Sequence, residues 1–107
     1  MTPLILRREA AKRDLIDHFV YIGENHTIDR ALRFRAKVDE AFRLLAENPL
    51  IGATRSFRNP AYNDVRLWPI RDFPDYLIFY RPIDNGIQIE RVLAAKTDYR
   101  QHLGPEK

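Results

Sequence analysis

The stretch from residue 64 to residue 94 reads DVRLWPIR (64–71), YLIFYR (76–81) and IQIERVLA (87–94). Each run is rich in β-branched and aromatic residues, and short turn-forming segments separate them. Pro82-Ile83-Asp84-Asn85-Gly86 supplies residues that tolerate positive φ. No segment between these runs is long enough for a crossover helix, so the three strands form an antiparallel meander. The middle run is apolar on both faces, as a central, covered strand would be. Pro69 within the first run places an edge or a bulge there.

Upstream, the pattern changes from strand to helix. From Glu9 to about Glu24, Ala11, Leu15, Phe19 and Ile22 recur at helical spacing. Gly23 to His26 breaks that pattern. Thr27 then occupies an N-cap position, with Asp29 in the first turn of the next helix. Ala31, Phe34, Val38, Ala41 and Leu45 carry the second helix to about Glu47, and Asn48-Pro49 ends it. A connector of about four residues makes the pair an antiparallel hairpin. Residues 3–7 read as a short strand, 49–63 as an irregular segment, and Lys96 to Leu103 as one or two final helical turns. The expected order is β-α-α-β-β-β-(α), an α+β fold with an antiparallel sheet and the helical hairpin packed on one face.

The 107 residues form one domain, 1–107, long enough for a hydrophobic core without staples. Hydrophobic residues make up 45% and charged residues 31%, which excludes a disordered tail. No apolar run approaches the ~18 residues of a spanning helix, so no membrane partner is expected. The N-terminal residues do not read as a signal peptide, and the chain has no cysteine for a disulfide framework. A cytoplasmic location is the resulting expectation.

Net charge is +3 and the pI is near 9.4. Of 18 basic residues only Lys12, Lys37, Lys96 and Lys107 are lysines; the other 14 are arginines. A high-GC genome accounts for most of them as solvated surface. The arginines on strands are the informative ones, because arginine's fork suits carboxylates and phosphates. Alternation puts Arg66, Trp68 and Ile70 on one face of their strand, and Val65 and Leu67 on the other. Arg81 then shares a face with Leu77 and Phe79, and Arg91 with Ile87, Ile89 and Leu93. Arg71 ends the first strand. Such a cluster points to an anion, an acidic partner, or internal carboxylates, for which Asp64, Asp72, Asp75, Glu90 and Asp98 are candidates. Phe79 and Phe34 read as core, and His18 as a core-edge or interface histidine. No phosphate loop, nucleophile elbow or zinc motif is present, and His18, His26 and His102 are scattered, so neither metal nor cofactor is expected.

In its ordered series the chain resembles the ParE-type toxins of the RelE/ParE superfamily. Asp14-Leu15, Tyr21-Ile22, Ala31, Phe34 and Leu45-Ala46-Glu47-Asn48-Pro49 with Gly52 carry the first half of the likeness. Val65 to Ile70, Tyr76 to Arg81 and Ile87 to Leu93, ending near Asp98, carry the second, so it spans about residues 4 to 99. The resemblance implies the toxin of a type II toxin–antitoxin pair, neutralised by a ParD-like or other small antitoxin. ParE-like members poison DNA gyrase, and RelE-like members cleave mRNA in the ribosome. Where the family often has a histidine after the last strand, this chain reads Leu93-Ala94-Ala95-Lys96-Thr97-Asp98.

RNA cleavage needs a proton acceptor, a proton donor and cations for the phosphate. On that reading Arg66 and Arg81 would supply charge, and Tyr99 and His102 the proton transfer. Arginine is a poor base, its pKa lying above ~12. A gyrase inhibitor needs only a fitting surface, so a protein-binding inhibitor is expected rather than an enzyme, with Arg66, Arg71 and Arg81 as target contacts. An inactive or non-toxic binding module is the third reading. The antitoxin's apolar anchors are expected between the hairpin and the sheet edge, at Phe19, Tyr21 and Trp68. Sequence-specific DNA binding by this chain is not expected.

Overall fold

The computed structural model describes residues 2–96 and 99–104, the side chains of residues 99 and 100 excepted. Strand β1 (Leu4–Arg7) leads into helices α1 (Glu9–Asn25) and α2 (Ile28–Glu47). Strands β2 (Ala53–Arg55), β3 (Val65–Ile70), β4 (Phe73–Ile83) and β5 (Gly86–Ala94) follow, and a short helix α3 (Tyr99–Leu103) comes last. The helical hairpin has the expected ends. Thr27 Oγ1 accepts a hydrogen bond from the Arg30 N–H at 3.0 Å, satisfying a first-turn donor of α2. Asn48 caps its C-terminus through Leu44 O, and Pro49 prevents continuation. The connector is shorter than expected, just His26 and Thr27.

The strand order is β1-β5-β4-β3-β2. β2 through β5 pair antiparallel as a meander, with β4 central. The expected antiparallel meander is extended to a mixed sheet, because β1 joins parallel to β5. The α1–α2 hairpin returns the chain over one face, which frees the far edge of β5 for the N-terminal strand. Gly86 makes that pairing possible: a Cβ there would lie 1.9 Å from Leu4 O. Pro69 falls beyond the end of β2, where the outer side of β3 has no strand partner, and the β3–β4 register shifts between Pro69 and Ile70. β2 itself lies in the segment that reads as irregular. Three residues are too few to show alternation.

Both faces of the sheet are covered. The larger core lies between the sheet and the helices, with Phe34, Phe42, Leu45, Ile78, Tyr80, Ile89 and Val92 buried in it. A smaller core on the opposite face holds Phe57, Val65, Phe79, Leu93 and Leu103. It is roofed by α3 and the segment before β3. Glu90 is an extra residue in β5: Phe79 pairs with Arg91 and Tyr80 with Ile89. This bulge shifts the alternation, as bulges do. Ile87 and Ile89 face the helices while Leu93 faces away, so the expected common face for Arg91, Ile87, Ile89 and Leu93 does not exist.

Candidate functional site

Arg66 and Arg81 project from neighbouring strands but to opposite faces. Arg66 pairs with Tyr80, on the helix side. Its Nη1 donates to Leu50 O and Gly52 O, both at 2.9 Å. Arg81 lies on the other side, donating from Nη1 to Asn63 O at 2.7 Å and from Nη2 to Ala61 O. Its Nε sits 3.7 Å from Glu90 Oε2. The two arginines therefore pin the two ends of the 49–63 segment. Arg71 is exposed in the β3–β4 turn beside Asp72, whose φ is 70°. Five residues separate it from Arg66, about 16 Å along a strand. The three arginines thus form three separate points, not one anion site.

Tyr80 completes the hold on the segment. Its buried hydroxyl donates to Pro49 O at 2.8 Å and accepts from the Gly52 N–H at 2.9 Å. Burial pushes the Tyr80 pKa above the usual tyrosine value, against the opposing pulls of the Gly52 hydrogen bond and the Arg66 charge.

Of the carboxylates expected to pair internally, Glu90 does so and is 2% exposed. It accepts from Arg8 Nε at 2.8 Å and from Gln88 Nε2 at 2.6 Å. Asp72 sits 3.5 Å from Lys37 on the surface. Asp98 lies outside the described residues. Arg91 has a partner that sequence reasoning missed. Asp14 of α1 takes a forked contact from Arg91 Nε and Nη2 at 2.7 and 2.8 Å, and also accepts from the Val92 N–H at 3.1 Å. These bonds hold the Arg91 guanidinium above its ordinary pKa; burial opposes them and Tyr62 adds to them. One turn along α1, His18 Nε2 donates to Val92 O at 2.7 Å. Asp14 and His18 thus meet both backbone groups of Val92 on the edge of β5 that β1 does not reach. Their i, i+4 spacing beside the apolar stripe of α1 was the available signal.

Two concavities flank the hairpin. An apolar pit of about 240 Å³ lies between the helices, lined by Leu15, Ile16, Phe19, Phe34, Arg35 and Val38. Ile16 in its lining is exposed, as are Val20 one turn further along α1 and Ile28 and Leu32 in the first turns of α2. A wider cleft of about 1070 Å³ runs from α1 past the end of β5 to α3, with Tyr21, His18, His26, His102, Arg13, Arg30 and Lys96 among its lining. The three expected anchors occupy three places. Phe19 lines the pit, Tyr21 the wide cleft, and Trp68 packs half-buried against the main core from β3. His102 is exposed on α3, and the Tyr99 side chain lies outside the described residues. Among the described residues no three His, Asp or Glu side chains converge as metal ligands. Nor is any helix among them long and apolar enough to cross a membrane.

Comparisons with known proteins bear on this fold. The family model for the ParE toxin of the type II toxin–antitoxin system, parDE, matches residues 5–99. A solved structure described as a chromosomal ParDE TA system from P. aeruginosa is similar at a TM-score of 0.67. It shares 20% sequence identity, and the match covers 89% of this chain and 98% of that one. At that identity the likeness speaks for the fold. No curated protein matches the chain.

Proposed function

The chain belongs to the ParE toxin family of the parDE type II toxin–antitoxin systems. From that premise we propose that it arrests bacterial growth from the cytoplasm by binding DNA gyrase or a related type II topoisomerase, and that a small antitoxin neutralises it. The family match across residues 5–99 carries the toxin reading. Binding in preference to RNA cleavage is supported by the sheet arginines. Arg66 and Arg81 face opposite sides and hold main-chain carbonyls of their own chain, so they do not converge on one phosphate.

The antitoxin site is the seam of the helical hairpin. Ile16, Phe19, Phe34 and Arg35 line its pit, and Val20, Ile28 and Leu32 are further exposed aliphatics on the same two helices. An amphipathic antitoxin helix with apolar anchors at i, i+3 or i+4 and a nearby carboxylate fits this surface. Of the expected anchors, Phe19 belongs to it; Tyr21 faces the neighbouring cleft.

Induction of the chain in a bacterial host tests the proposal. Growth should stop and resume when the small gene adjacent to the toxin gene is co-expressed. Phe19→Asp should leave arrest intact and abolish rescue. Harmless expression in several hosts would remove the toxin reading. Rescue of Phe19→Asp as efficient as that of the parent would remove the hairpin site alone.

A further inference from the structure

The turn Pro49–Gly52 combines two features that seldom occur together. Leu50 is 69% exposed and Ile51 42% exposed, two adjacent large aliphatics on a surface turn. Turns favour polar residues and glycine, so such a pair in water gains nothing for folding. The backbone beneath them is nevertheless fixed from inside. Pro49 O and the Gly52 N–H bond to the Tyr80 hydroxyl, Leu50 O and Gly52 O accept from Arg66, and the Ile51 N–H donates to Asn48 O. Gly52 lies so close to the Tyr80 ring that a Cβ would meet its hydroxyl oxygen at 2.5 Å. A buried tyrosine and a half-buried arginine thus set the conformation of a turn whose side chains point outward.

Rigidity of this kind lowers the ordering cost of docking, since the contact residues already have their bound geometry. Arg66 also keeps binding capacity. Both of its bonds come from Nη1, and among the described residues Nε and Nη2 make no hydrogen bond. Those two donors form the side of the guanidinium fork that takes a carboxylate. The turn is also remote from the hairpin pit: nine residues of α2 separate Val38 from Glu47, about 13 Å of helix.

Resting on the toxin reading, we propose that this turn is a target-contact knob: Leu50 and Ile51 enter an apolar pocket on the protein the toxin inhibits, and Arg66 pairs with a carboxylate on the pocket's rim. Arg66 is then a positioning residue through Nη1 and a contact through Nε and Nη2.

The test is growth arrest on induction in a bacterial host, read beside the melting temperature and co-purification with the antitoxin encoded next to the toxin gene. Leu50→Asp/Ile51→Asp should lose growth arrest while keeping the parent's melting temperature and its antitoxin. Arg66→Lys, which keeps charge but not the fork, should weaken arrest partially. If the double variant does not fold, Leu50→Ser replaces it under the same criteria. Arrest undiminished in the folded variants overturns the knob while leaving the toxin reading in place. Loss of antitoxin binding at an unchanged melting temperature also overturns it, by assigning the turn to the antitoxin. A parent chain that does not arrest growth removes the toxin reading on which the knob rests.

Discussion

The two faces of the sheet are held by different physics. On the helix side, aromatic and aliphatic residues from α1, α2 and three strands exclude water over a continuous core. On the other side a smaller core, with five buried residues among those described, is roofed by a segment with little regular structure. That segment begins on the helix side, where Tyr80 and Arg66 hold residues 49–52, and ends on the far face, where Arg81 holds Asn63 O and Ala61 O. The first face tolerates no loss of volume. The 49–63 segment depends instead on a few directional bonds whose removal leaves unsatisfied backbone groups.

Substitutions separate these regimes. Phe34→Ala should have the largest effect, a loss of about 4 kcal/mol in a urea titration, because Phe34 is fully buried and packs edge-on against Phe73 and Tyr76. A loss below about 1 kcal/mol would mean that the helix-side core is not close-packed. Asp14→Ala comes next, at about 3 kcal/mol, since it leaves the shielded Arg91 guanidinium and the Val92 N–H without their acceptor. Combined with Arg91→Ala, it should cost much less than the sum of the two single changes.

Tyr80→Phe should cost about 2 kcal/mol by unpairing Pro49 O and the Gly52 N–H. It also has a pH signature. Because burial raises the Tyr80 pKa, its contribution is fully present below the unfolded tyrosine value, about 10. It is lost as pH rises through the higher folded value. The parent's alkaline decline in melting temperature should therefore flatten in Tyr80→Phe; an identical decline in both would contradict the burial of the hydroxyl. Smallest is Lys37→Ala, within about 0.5 kcal/mol, since its contacts with Glu40 and Asp72 are surface pairs at 3.5 Å.

The same contrast explains what the sequence made legible. Helix periodicity located α1 and α2, and the runs of β-branched and aromatic residues between turn-forming segments located the meander after residue 63. The parallel placement of β1 could not be read, since a four-residue strand carries no sign of its partner's direction. The bulge at Glu90 was equally hidden, and it reversed the expected face of Leu93. The arginines were recognised as the informative cations, but the hydrogen-bond acceptors of Arg66 and Arg81 are main-chain carbonyls distant in sequence, which leave no mark in residue type. Asp14 was legible in principle, one turn from His18 on the same side of α1.

Whether the chain acts by binding a topoisomerase, as proposed, is decided by a supercoiling assay with purified chain and purified DNA gyrase. Relaxed plasmid should fail to become supercoiled, or cleaved complexes should accumulate, in proportion to added toxin, and added antitoxin should restore activity. Normal supercoiling at excess toxin, together with ribosome-dependent cleavage of mRNA by the same preparation, would make the chain a ribonuclease and not a topoisomerase inhibitor.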